Sequence, residues 1–223
     1  MTATPVYIIC SPRPQVGKTL TARLLSEFLL LKNGTVTSFD INLKEPSLLE
    51  YLPGVTETAE IDNTFGKMAL MDRLIINDGL PKVIDLGFHA FDEFFKMTEE
   101  IGFLKEAVRR GVSPIVMFIA DSDRVSPRGY AMLQQQIPAS AMITVDNEYV
   151  LRGELPEAFA VHGRTLHIAA LPSFLKTYVD RLTFSFTDYL RNERDSSTEL
   201  HQWIRRNYTS FRELEFSLLP QRS

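Results

Sequence analysis

The sequence predicts an α/β protein: an open, mostly parallel sheet with helices on both faces. Three observations predict it. Short apolar, β-prone runs alternate with stretches of helical character along nearly the whole chain. Residues 113–120 are continuously apolar, as strands buried on both faces of a parallel sheet are. And 223 residues, 44% of them hydrophobic, are enough to cover a sheet on both sides within one domain, 1–223.

Taken in order, residues 6–10 are the first strand and 18–32 the first helix, which Asn33 and Gly34 stop. Residues 35–40 form a second strand ending on Asp40, followed by a loop over 41–46 and a short helical turn capped by Ser47. Residues 52–63, with Pro, Gly and Thr, read as irregular. Residues 65–77 are helical, with a Met-rich stripe (Met68, Leu70, Met71, Leu74, Ile75) assigned to the core. Residues 82–85 are a short buried strand ending on Asp85. A helix over 88–110 bends near Gly102, and 113–120 is the central strand. A helix opens at Ser126 and Pro127 and ends before Pro138. Residues 141–145 lead to Asp146 and Asn147, a short helix lies near 156–161, and 165–171 is the last strand. Pro172 starts a helix running to about Arg194. Residues 195–223 are a C-terminal helical segment whose Leu200, Ile204, Tyr208, Phe211 and Leu214 share one apolar face, suited to docking on the domain.

The chemistry concentrates in the turn after the first strand. Ser11-Pro12-Arg13-Pro14-Gln15-Val16 closes with Gly17-Lys18-Thr19 and opens into a helix. Strand, loop and helix in that order form a phosphate-binding loop, because loop amides and the unpaired amides of the first helical turn converge on an anion. Gln15, Val16, Gly17, Lys18, Thr19 and Leu20 supply those amides; Gly17 lets the backbone approach the phosphates, Lys18 reaches the outer ones and Thr19 ligates Mg²⁺. Pro12 stands where the general pattern has a glycine, and Pro12 and Pro14 lack amide donors, so the loop entry is built differently.

The loop resembles the deviant Walker A of the ParA/MinD family of partitioning and division-site ATPases. Arg13 occupies the position of that family's signature Lys, while Pro14 and Gln15 replace its two glycines. The ending Gln15-Val16-Gly17-Lys18-Thr19 is also similar to the loop of dethiobiotin synthetases. Phe39-Asp40-Ile41-Asn42 resembles the ParA/MinD Asp-x-Asp motif, with Asn42 for the second acid. An amide orients water but cannot take its proton, so slow hydrolysis is expected. The resemblance implies ATP and Mg²⁺ as cofactors, and a homodimer in the ATP state. It puts Lys18, Asp40 and Arg13 in catalytic roles: Lys18 on phosphate, Asp40 near the metal and the attacking water, Arg13 on the partner's phosphates. It makes Asn147 a reader of the adenine, and a protein partner that stimulates hydrolysis is a further expectation.

Asp85, after two buried β-branched residues, matches a Walker B acid and joins Thr19 and Asp40 as a metal-ligating candidate. Plainer uses remain open: Asp40 as a loop cap, Asp85 as a helix cap, Asn147 as a turn residue. Two alternative functions also stay open, an ATP-dependent ligase of dethiobiotin-synthetase type and a nucleotide-binding module without turnover.

A net charge of −4 gives no global attraction to nucleic acid, and the C-terminal arginines are interleaved with acids as on a solvated surface. A single cysteine, Cys10, excludes an internal disulfide; with no apolar run of about 18 residues for a membrane span, a cytoplasmic protein is expected. His89, His162, His167 and His201 show no metal-ligand spacing.

Overall fold

The computed structural model describes residues 3–42, 47–160 and 164–218; residues 43–46 of the loop predicted over 41–46, and His162, lie outside them. Seven strands form one sheet in the order β3-β2-β4-β1-β5-β6-β7. They are β1 (Thr4–Cys10), β2 (Thr37–Ile41), β3 (Thr56–Thr58), β4 (Lys82–Leu86), β5 (Val112–Ile119), β6 (Met142–Asn147) and β7 (Arg164–Ile168). Every pairing is parallel. The predicted α/β class therefore holds: an open parallel sheet with helices on both faces and a helix at the C-terminal end.

Alternation along the strands makes two cores. Tyr7 and Ile9 of β1 join one core, against α1 (Lys18–Asn33), α10 (Phe186–Asn192) and α11 (Glu199–Leu218). Val6, Ile8 and Cys10 join the other, against α3 (Thr64–Leu74), α4 (Phe91–Glu100), α5 (Phe103–Arg109) and α6 (Val125–Gln136). The apolar face predicted for the last helix is buried in the first core: Leu200, Ile204, Tyr208, Phe211 and Leu214. Gly34 ends α1 in the left-handed conformation, its N–H bonded to the Leu30 carbonyl, and Gly102 breaks α4 from α5 in the same conformation.

Four local expectations need correction. Residues 56–58, read as irregular, form the edge strand β3, paired in register with Ser38, Phe39 and Asp40; three residues are too few to show a period. Met68 of the stripe assigned to the core is exposed, as is Phe65, while Leu70, Met71 and Leu74 are buried. A short helix α7 (Glu148–Leu151), capped by Asn147, precedes α8 (Glu157–Ala160). The helix expected from Pro172 to Arg194 is two helices, α9 (Ser173–Val179) and α10, separated by a turn. Among the described residues no helix is long and apolar enough to cross a membrane.

Candidate functional site

At the carboxyl ends of β1, β4 and β6 lies a cleft of about 790 Å³, where open parallel sheets place their ligands. Its surface includes Gln15, Gly17, Lys18, Thr19 and Leu20 from the predicted phosphate loop, with Asp85 and Asn147 from the two strand ends. The structure therefore brings one group of the predicted residues onto a single surface.

The loop before α1 carries two residues in the left-handed region, Gln15 (φ 58°) and Gly17 (φ 91°). Gly17 has a second reason to be glycine: a Cβ there would meet Asn147 Nδ2 at 2.5 Å. The constraint on Gly17 is thus a neighbour inside the fold as well as access for a ligand. α1 starts at Lys18 with no side-chain cap and no acid in its first turn. Its leading amides therefore have no carboxylate competitor, which suits an incoming anion. Lys18 Nζ donates to the carbonyl of Arg13, so the loop lysine is folded back on its own loop. Burial pushes the Lys18 ammonium below the usual lysine range, and Asp85, Cys10 and Asp121 oppose that shift. A polyphosphate would bring the counter-charge that burial makes valuable.

Thr19 Oγ1 donates to Asp85 Oδ2 at 2.6 Å and lies 3.4 Å from Ser47 Oγ. Asp85 is 2% exposed. Burial pushes its carboxyl up to about 7; the Thr19 hydrogen bond opposes this, the Asp40 charge adds to it and Lys18 opposes it. A buried carboxyl with so little cationic support is receptive to a hard cation, and a hydroxyl beside it is a natural second oxygen. Among the described residues no three His, Cys, Asp or Glu side chains are grouped to hold a metal by themselves. Mg²⁺ fits that pattern, since it is commonly held by one or two protein oxygens together with phosphate and water.

Asp40 and Arg13 are used differently from the other loop and strand-end residues. Asp40 is the register partner of Asp85, yet its carboxylate is not on the cleft surface. Its Oδ2 accepts from the N–H groups of Leu48 (2.8 Å) and Leu49 (3.2 Å), and its Oδ1 from that of Asn42 (3.1 Å). It therefore holds the start of α2 (Ser47–Tyr51). Burial raises the Asp40 carboxyl, and those three amides pull it back. Arg13 reaches Asp121 (3.5 Å) and Asp123 (3.4 Å) in the loop after β5, and is also absent from the cleft surface. Val16 is buried in the first core, so it takes part through backbone only. Asn147 lines the cleft, but its Nδ2 donates to the Val16 carbonyl (2.9 Å) and its Oδ1 accepts from Tyr149 N (3.2 Å). It braces the loop from behind.

Sequence reasoning missed several cleft residues: Gly87, Phe88, His89, Tyr149, Lys176 and Asp180. The Phe88 ring lies 5.8 Å below Lys18 Nζ and 3.6 Å from the His89 ring. Gly87 is locally required, since a Cβ would meet the Ile41 carbonyl at 2.8 Å. A glycine two positions past a buried acid was the available signal.

No family model matches this chain, and no curated protein matches it. Among solved structures it is similar to the MinC:MinD cell division protein complex of Aquifex aeolicus, at 17% identity and a TM-score of 0.48, across 99% of each chain. No function follows from a likeness of that degree.

Proposed function

We propose that this chain binds ATP with Mg²⁺ in the cleft above β1, β4 and β6, as a slow ATPase of the ParA/MinD kind. The observation that carries the reading is the meeting of Lys18, Thr19 and Asp85 on one cleft surface beside an uncapped helix start. Lys18 leaves the Arg13 carbonyl for the outer phosphates, and the amides from Gln15 to Leu20 hold the phosphate chain. Thr19 and Asp85 hold the metal, which when bound neutralises charge on the phosphates. Orientation of water falls to Asn42 and His89, which line the cleft, rather than to Asp40, whose oxygens are engaged by amides. Asn42 cannot accept the proton, which keeps turnover slow.

A nucleotide-dependent homodimer and a stimulating protein partner belong to the same reading. For Arg13 to reach a second protomer it must leave Asp121 and Asp123. A second reading, a nucleotide-gated module without turnover, is favoured by the capture of Asp40 as a helix cap. Calorimetry with ATP and ADP, sedimentation with and without each nucleotide, and phosphate release separate the two. ATP binding with measurable phosphate release supports the first; ATP binding without release supports the second; absence of binding overturns both.

A further inference from the structure

The loop helix carries a second polar feature, one turn beyond Lys18 and away from the phosphates. Arg23 and Glu27 are each 2% exposed, with Arg23 Nε 3.4 Å from Glu27 Oε1. Burying two charges is expensive, and apolar residues of similar volume often serve a core equally well or better. The pair therefore invites the question of what its polar atoms hold. Arg23 Nη1 donates to the Val179 carbonyl at 2.8 Å and Nη2 donates to the Phe184 carbonyl. Glu27 Oε2 accepts from Ser185 Oγ (2.7 Å) and Thr187 N (3.0 Å). The four partners span the junction of α9 and α10: Val179 ends α9, Phe184 and Ser185 lie in the turn, and Thr187 is in the first turn of α10. Carbonyls at a broken helix need donors from elsewhere, and Arg23 supplies them from about 160 residues upstream.

That turn borders the cleft. Lys176 in α9 and Asp180 just past its end line the same cleft as the phosphate loop, as a second wall, and pair with each other. Tyr51, the last residue of α2, completes the connection: its ring lies 4.2 Å from the Arg23 guanidinium and its hydroxyl donates to the Asp180 carbonyl at 3.2 Å. The other end of α2 is Ser47, beside Thr19.

We infer that Arg23 is a positioning residue that fixes the Lys176–Asp180 wall to the phosphate-loop helix, so that the part of the ligand beyond its phosphates is gripped at a set distance from Lys18. One rigid helix then positions both walls, Lys18 and Thr19 at its start and the second wall through Arg23. A guanidinium suits the task because its rigid, planar fork holds separate donors, Nη1 and Nη2, at a fixed spacing, one for each carbonyl. The nucleotide arm of the inference rests on the ATP reading above; the mechanical arm does not.

The test uses the full chain with Arg23→Met and Glu27→Leu combined, which removes both charges and keeps the volume. Amide hydrogen exchange over residues 179–187 should quicken about tenfold or more without ligand. Affinity for Mg-ATP should fall about tenfold, while affinity for Mg-tripolyphosphate, which needs only the loop, stays within about twofold. Arg23→Lys should fall between the double variant and wild type. Unchanged exchange in a folded variant overturns the inference, as does equal weakening of ATP and tripolyphosphate. Should the double variant fail to fold, Arg23→Lys, which keeps the charge beside Glu27 but loses the two-pronged contact with the Val179 and Phe184 carbonyls, should quicken exchange about threefold; no change there overturns it too. If wild type binds neither ligand, the ATP reading fails and the exchange measurement alone decides whether Arg23 positions the wall.

Discussion

Asp40 and Asp85 stand side by side at the ends of neighbouring strands, paired in register. Both follow buried apolar residues, and both are almost fully buried. Their surroundings separate them. Asp85 faces the cleft with one hydroxyl partner and a carboxyl pushed up to about 7. Asp40 faces three backbone amides, that of Asn42 just after β2 and those of Leu48 and Leu49 at the entry to α2. An acid at a strand end is thus offered to a ligand only when the following segment leaves it without amides. Here the chain after β4 moves away through Gly87, whereas the chain after β2 brings Leu48 and Leu49 back over Asp40.

The largest expected consequence concerns pH. Between the ordinary aspartate value near 4 and about 7, the ligand-free folded protein keeps a proton on Asp85 that the unfolded chain has released. Raising pH through that interval therefore removes stability, by up to roughly 4 kcal/mol, and the loss stops above the folded value. Denaturant titrations of wild type and Asp85→Asn should converge near pH 4 and separate in favour of the variant by pH 7. Parallel profiles would mean that Asp85 is not held in the low-dielectric environment described.

On the ligand side of the comparison, Lys18→Ala should weaken Mg-ATP binding by roughly 100-fold, about 3 kcal/mol, as loss of charge-assisted bonds to phosphate does. Its melting temperature should change little. Calorimetry reads both the affinity and the stoichiometry, and unchanged affinity would remove the loop from the account.

On the structural side, Asp40→Ala should cost about 2 kcal/mol of stability, since the amides of α2 lose their acceptor. Urea unfolding measures it. A loss under a few tenths would mean that solvent replaces the carboxylate freely.

Smallest is the expectation for Arg13. Its pairs with Asp121 and Asp123 are partly exposed, so Arg13→Ala should shift stability by less than about 1 kcal/mol and leave ATP affinity near wild type. Sedimentation in ATP and Mg²⁺ then asks whether the same change weakens a dimer. Equal dimerisation by both proteins would leave Arg13 as a brace for the loop after β5.

Much of the fold was legible because it follows local signals. The apolar run of β5, the stop at Gly34 and the break at Gly102 each depend on residues within a few positions. The strand, loop and helix order around residues 11–19 was legible for the same reason. What escaped depends on distant partners. The break between α9 and α10 is held by Arg23, and nothing near residue 180 announces it. β3 exists because β2 offers an edge to three otherwise featureless residues. Asp40 could not be told from Asp85 without knowing where the amides of α2 would fall. Asn147 was expected to face a base, but its amide is turned to the Val16 carbonyl.

The most direct test of this division of labour is a calorimetric titration of ATP, with and without Mg²⁺, into wild type, Asp85→Asn and Asp40→Asn. The account predicts that Asp85→Asn folds more stably than wild type at pH 7 but loses the Mg²⁺-dependent part of ATP affinity. It predicts that Asp40→Asn loses stability while keeping the Mg²⁺ dependence of whatever binding remains. The opposite assignment, with Asp40→Asn abolishing the Mg²⁺ effect and Asp85→Asn leaving it intact, or no ATP binding by wild type, would contradict it.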